Sequence, residues 1–237
     1  MTAFGFPLEQ EGALAELAAI PVRTALISAG DDVAAVVAAA VRGIASPGSV
    51  VAVSETAVAI AQGRSLSAET IRPSKLAYTL SARAGALATI NQPEALQLVI
   101  DEVGAPKVLA AAGLHVVGRL LGMRGVFYRV LGEAIATIDG YTGTLPPFER
   151  TIVLGPHEPN RAAQAIAESC GTDIGAAVVD ANDLGKVNVL GISNNVARTV
   201  VARALQANPH GNGDEQTPIV VLVWRGAGPN PLMNAGA

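Results

Sequence analysis

One cysteine, Cys170, in 237 residues excludes an intrachain disulfide and any cysteine-based metal site, and fits a reducing cytoplasm. It closes an apparent helix in Glu168-Ser-Cys-Gly171, where a small buried filler outweighs a nucleophile. Aromatic residues are also scarce, at 3% with Trp224 the sole tryptophan, which argues against reading nucleic acid by base stacking. Charge is sparse at 15%, and sixteen Lys and Arg against twenty Asp and Glu leave a formal charge of -4. The basic residues are scattered rather than striped, so no nucleic-acid partner is expected. No uncharged apolar run approaches spanning length; the alanine-rich Val33 to Val41 is far too short. The first residues, Met1 to Glu9, have no basic region before an apolar stretch and do not read as a signal peptide. A soluble cytoplasmic protein without membrane partners is expected.

Motifs are missing as well. There is no Gly-x-x-x-x-Gly-Lys-Ser/Thr and no complete Gly-x-Gly-x-x-Gly after a strand, which disfavours two standard nucleotide folds. His115, His157 and His210 lack His-x-x-His spacing and give a zinc site little support. No Gly-x-Ser-x-Gly elbow supports a serine hydrolase.

What is present is apolar surface, at 50% hydrophobic residues, enough for a well-filled core. Residues 1–19 read as an added arm, partly helical over Gly12 to Ala19, before a main domain over 20–237. A strand is expected over Thr24 to Ile27, followed by Gly30-Asp-Asp32, whose acids cap a helix beginning at Val33. Val50 to Val53 reads as a strand, and Ser54-Glu-Thr56 opens a short helix ending at Gly63. Helical patterns cover Pro73 to Arg83 and Pro93 to Val103, each with proline near its start. Ala105 to Leu121 begins as helix and admits a strand later. Gly125 to Val130 alternates like a strand, with Ile135 to Ile138 as its neighbour, and Tyr141 to Arg150 reads as a loop. Strands are expected at Thr151 to Leu154, Ile174 to Val179, Val187 to Leu190 and Ile219 to Val223, and helices at Asn160 to Cys170 and Asn195 to Gln206. This mixture of hairpins and helices predicts an α+β fold, with mixed and antiparallel sheets flanked by helices.

The chemistry that remains is that of carboxylates. Asp180, Asn182 and Asp183 follow a buried apolar strand, Asp139 follows another and begins a turn, and Asp214 and Glu215 precede the last strand. If these rims converge, their oxygens suit magnesium or manganese, which would neutralise phosphate oxygens in a phosphoryl transfer. Taken singly, each acid also serves as an ordinary turn or loop residue.

Read in order, the segments resemble the coenzyme F-420-0:L-glutamate ligase (gamma-glutamyl ligase) family. The likeness runs through Ile20-Pro-Val22, Gly30-Asp-Asp32, Val50-Val-Ala-Val-Ser54, Gln62-Gly-Arg64, Ala136-Thr-Ile-Asp139, Asn182-Asp-Leu-Gly-Lys186, Asp214-Glu-Gln-Thr-Pro218 and Val221-Leu-Val-Trp-Arg-Gly226. The resemblance implies an intertwined homodimer. It also implies a GTP-dependent enzyme that phosphorylates the terminal carboxylate of a deazaflavin coenzyme precursor and lets the amine of glutamate attack the acyl phosphate. It puts Asp139 on the family's metal aspartate, Asn182-Asp183 on its Asp-Thr metal pair with Asp180 or Asp183 replacing the lost acid, and Glu215 in the acidic segment near the nucleotide. Asp139 and Asp183 are the implied catalytic residues, the metal set is Asp139, Asp180, Asn182, Asp183 and Glu215, and the nucleotide set is Ile20, Pro21, Val22, Ser54 and Thr142.

There are departures. Ser54-Glu55-Thr56 stands where the family has Thr-Ser-Lys, and Ile60 replaces a further lysine, so two cations able to face phosphates are absent. Thr142 replaces the family's asparagine, and the stretch after Gly185 is shortened to Lys186-Val187. The alternative is therefore a relative that binds a small molecule or partner without ligating it; a metal-dependent hydrolase is a third reading.

Overall fold

The computed structural model describes residues 16–84, 91–123, 125–132, 138, 150–182, 185–211 and 215–234. The chain separates into two compact units, one made of residues 1–63 and 156–237 and the other of 64–155.

In chain order the elements are β1 (Leu17–Val22), α1 (Val33–Ala40), β2 (Val50–Ser54), α2 (Glu55–Ala61), β3 (Ser65–Ser67) and a 3₁₀ turn (Ala68–Thr70). Then come α3 (Lys75–Ser81), α4 (Pro93–Val103), α5 (Ala105–Leu120), α6 (Val126–Leu131), β4 (Thr151–Val153), α7 (Pro159–Cys170), β5 (Gly175–Ala181), β6 (Val187–Ile192), α8 (Arg198–Ala204) and β7 (Ile219–Trp224).

The first unit is built on a five-stranded sheet of order β1-β7-β2-β5-β6. Only β2 and β5 run parallel; the other pairs are antiparallel. Both faces of the sheet are covered. Val51, Val53, Ala176, Val178, Ile219 and Val221 face one core with α1, α2 and α7, while Val50, Ala52, Ala177, Val179, Val220 and Leu222 face another with α8 and Leu232. Burial on both faces is why these strands read as continuous apolar runs. β1 is an edge strand, which is the place where Pro21, lacking an N–H, is tolerated. Gly191 lets α7 approach β6, since a Cβ there would sit 2.2 Å from the carbonyl group of Pro159.

The second unit contains α3 to α6, the β3–β4 pair and a core of its own around Leu96, Val99, Val108, Phe127 and Ile152. The mixed α+β architecture agrees with the expectation.

Several local expectations need correction. The first strand is Leu17–Val22, not Thr24 to Ile27, because β7 takes its antiparallel partner there; Leu17 to Ala19, expected at the end of a helix, belong to that strand, and Gly12 to Ala15 lie outside the described residues. Gly125 to Val130 is not a strand: Val126–Leu131 is α6, whose Phe127 and Leu131 at i and i+4 are buried together. The later part of Ala105 to Leu121 is helix as far as Leu120. Ile138 is in no strand, while Ile135 to Thr137 and Tyr141 to Glu149, expected as a strand and a loop, lie outside the described residues.

Candidate functional site at one rim of the sheet

The strand directions bring distant segments to one rim. β1 pairs Val22 with Ile219, β2 pairs Val53 with Ile219, β5 sets Val179 beside Ser54, and β6 begins opposite Ala181. The ends of β1, β2 and β5 and the starts of β7 and β6 therefore stand in a row. With neighbouring strands about 4.8 Å apart, the span from Val22 to Val179 is roughly 15 Å. Residues far apart in sequence meet there for a topological reason: a parallel pair shares its C-terminal end, and each antiparallel neighbour contributes its opposite terminus.

Val22, Ser54, Asp180, Asn182 and Glu215 all reach this rim, but they offer different groups. Val22 is buried in the core and Ile20 packs against it, so this segment can present its edge-strand main chain rather than those side chains. Ser54 starts α2 without capping it through its side chain, and its backbone N–H donates to the Pro218 carbonyl at 2.8 Å. Glu215 is held by its own backbone, whose carbonyl accepts from Arg23 Nε at 2.9 Å, and Thr24 N–H donates to Gln216 O at 3.2 Å. These contacts fasten the segment before β7 to the one after β1.

Asp180 is half-buried, and burial raises its carboxyl above the ordinary aspartate value of 3.8. No hydrogen bond or ion pair reaches its carboxylate among the described residues. A partly desolvated acid of this kind gains from a cation. Asn182 is instead engaged in the β5–β6 turn: its backbone exchanges bonds with Lys186 O and Gly185 N, and its Oδ1 accepts from Lys186 N at 3.4 Å. Asp139, Thr142, Asp183 and Asp214 lie outside the described residues. Among the described residues no group of three or more His, Cys, Asp or Glu is placed to hold a metal.

Three features of the site escaped sequence reading. Glu55 is 4% exposed and is the one buried acid among the described residues. Its place in the first turn of α2 favours a negative charge, a signal the sequence did carry. Ile60 is also buried, so the second position that lacks a lysine belongs to the core rather than to a surface facing phosphates. His210, which gave no sign of a site in the sequence, has Nε2 sealed from solvent without a partner and Nδ1 at 3.2 Å from Thr217 O. Burial lowers its pKa to about 4 against the partial opposition of that bond, so it is neutral and donates to Thr217.

Some motif residues have structural work. Gln62 exchanges two bonds with the His157 backbone, donating at 3.0 Å and accepting at 2.7 Å, while Arg64 Nε donates to Gly155 O. Asp32 caps α1 by accepting from Ala34 and Ala35, as expected, whereas Asp31 accepts from Ser28 N–H in the turn before the helix rather than capping it. A cavity of about 510 Å³, unforeseen in sequence, lies among Asp31, Asp32, Gln62, His157, Glu158 and Arg161. Among the described residues, none of those expected to hold metal or nucleotide lines it.

The family model of F420-0:gamma-glutamyl ligase matches residues 21–183. The chain belongs to the F420-0:gamma-glutamyl ligase family. The match covers most of the chain, namely the whole second unit and residues 21–63 and 156–183 of the first, and membership supports a ligase function in the coenzyme F420 pathway. No curated protein matches the chain. In this gamma-glutamyl ligase relative no helix among the described residues is long and apolar enough to cross a membrane.

Proposed function

We propose that the protein is a metal- and GTP-dependent gamma-glutamyl ligase acting at the rim where β1, β7, β2 and β5 end together, on a deazaflavin precursor with a terminal carboxylate. The observation that carries this reading is the meeting of Val22, Ser54, Asp180, Asn182 and Glu215 at that rim. These residues come from four separate stretches of sequence, each of which carries a piece of the family likeness.

In this reading the edge main chain of Ile20, Pro21 and Val22 receives the base, and the Ser54 hydroxyl, not used as a cap, contacts phosphate; Thr142 keeps its nucleotide role. Asp180, Asn182, Asp183 and Glu215 supply oxygens to magnesium or manganese, and Asp139 keeps its implied role as a metal and catalytic aspartate, with Asp183 the second catalytic acid. When bound, the ion neutralises phosphate oxygens. The acceptor carboxylate oxygen bonds to the γ-phosphorus as the bond to GDP breaks. The glutamate amine then bonds to the acyl carbon, loses a proton and expels inorganic phosphate.

The test supplies manganese, GTP, glutamate and a deazaflavin acid and follows glutamate addition by mass together with phosphate release. Addition is expected, and Asp180→Asn should lower it at least about a hundredfold, the scale of losing a charged oxygen at a developing phosphoryl charge. Asp139→Asn is a separate arm that examines the carried-over aspartate. The second reading, a non-ligating relative, is favoured by buried Glu55 and Ile60 where the family has no acid and a lysine. Absence of both products with GTP and with ATP would establish it, and phosphate release without glutamate addition would point to a hydrolase.

A further inference from the structure

The stretch that carries Glu215 to the rim is tied to the residues before it by two opposed bonds. The Thr217 hydroxyl donates to His210 O at 2.5 Å, and the His210 ring returns a bond through Nδ1, 3.2 Å from Thr217 O. A carbonyl oxygen only accepts, so Nδ1 carries the proton and Nε2 is the bare nitrogen. That nitrogen is sealed without a partner, which costs stability. Packing alone therefore gives no reason for an imidazole here, whereas the bond from Nδ1 to Thr217 does. Gly211, next to this clasp, has φ +74°, and a Cβ on it would lie 2.8 to 3.0 Å from the three atoms of the Glu215 carboxyl group. The carboxylate thus lies against the Gly211 backbone, while Glu215 as a whole is exposed. On the other side Arg23 holds the Glu215 carbonyl, and Pro218 O accepts from Ser54 N–H.

We propose that His210 and Thr217 are positioning residues for the nucleotide end of the site, acting through Glu215. Their paired bonds fix the backbone on either side of this acid, and so hold its carboxylate over Gly211 at the rim where GTP and its cation are received. An exposed glutamate otherwise spreads over many rotamers, and that freedom is lost on binding. A side chain fixed in advance does not incur the loss. The clasp touches no reacting atom, so its effect falls on the affinity of the site rather than on the chemical step. This role rests on the proposed function in one respect, that GTP binds at this rim.

Binding of GTP with manganese to the full chain is measured by calorimetry, alongside glutamate addition. His210→Ala and Thr217→Val should each weaken binding about five- to tenfold, the worth of one intramolecular hydrogen bond, and raise the KM for GTP by the same factor with kcat within about threefold. His210→Asn, whose amide donates from the place of Nδ1, should restore binding to within about twofold of the wild type. If His210→Ala does not fold, as judged by the Trp224 fluorescence transition, Thr217→Val decides, since it keeps the branched shape and loses only the hydroxyl. Wild-type affinity in both the alanine and the valine variant overturns the proposal, and so does an asparagine variant as weak as the alanine one. A wild type that binds GTP, with its variants in the order given, but adds no glutamate sinks the ligase function and leaves the clasp in place. Glutamate addition by a wild type whose alanine and valine variants bind normally does the reverse. A wild type that does not bind GTP with manganese overturns both.

Discussion

Burial drives His210 and Asp180 toward their neutral forms, and the two act on stability in opposite senses as pH changes. His210 has a pKa of about 4 folded against 6.5 unfolded, so the unfolded chain binds the extra proton between those values. Stability is full above 6.5 and falls as pH drops toward 4, by up to about 3 kcal/mol. Asp180 is raised above 3.8; the folded chain binds its proton more tightly, so this residue favours folding at low pH and opposes it as pH rises through the folded pKa. Melting temperatures measured from pH 7 down to 4 should therefore fall less steeply in His210→Asn than in the wild type, and an unchanged slope would count against a buried neutral imidazole. At this scale the caps were legible, since Asp32 precedes an apolar helix start and serves it directly. The burial of His210 and Glu55 was not, because burial is a property of what packs around a residue. Val22 teaches the same point: the resemblance implies a nucleotide segment there, while the structure puts its side chain in the core.

Most elements were legible because their pattern left one solution. Pro93–Val103 has proline at its start, buried residues at helical spacing and Gly104 at its end, and the strands buried on both faces are continuous runs of valine and alanine. Val126–Leu131 was not, since Val-Phe-Tyr-Arg-Val-Leu satisfies both a two-residue and a helical period, and contact decides. A Cβ at Gly118 of α5 would lie 2.6 Å from Val126, so the two helices seat against each other at a glycine that a strand would not require. Gly191 has the corresponding role between β6 and α7. Gly191→Ala should destabilise the protein by about 2 kcal/mol through overpacking against Pro159 backbone, measured by urea unfolding. A neutral result would show that α7 can shift without cost.

On the scale of the whole molecule, each unit has its own core, and Trp224 lies in the unit that holds the sheet. Leu96, 1% exposed in the other unit, gives a test of their independence. Leu96→Ala should cost about 3 kcal/mol and shift the hydrogen-exchange protection of α4 and α5 while the Trp224 fluorescence transition stays in place; a joint shift would mean that the units unfold as one. The sequence by itself determined the α+β class, most strand and helix positions and the family, because these follow from local periodicity, caps and the order of short motifs along the chain. Only the tertiary structure decided that β1 ends where β7 begins, that Ser54 and Val179 stand side by side, and that Glu215 is tied to Arg23. Those contacts join positions separated by more than a hundred residues, and they follow from the pairing of whole strands, which no short stretch of sequence specifies.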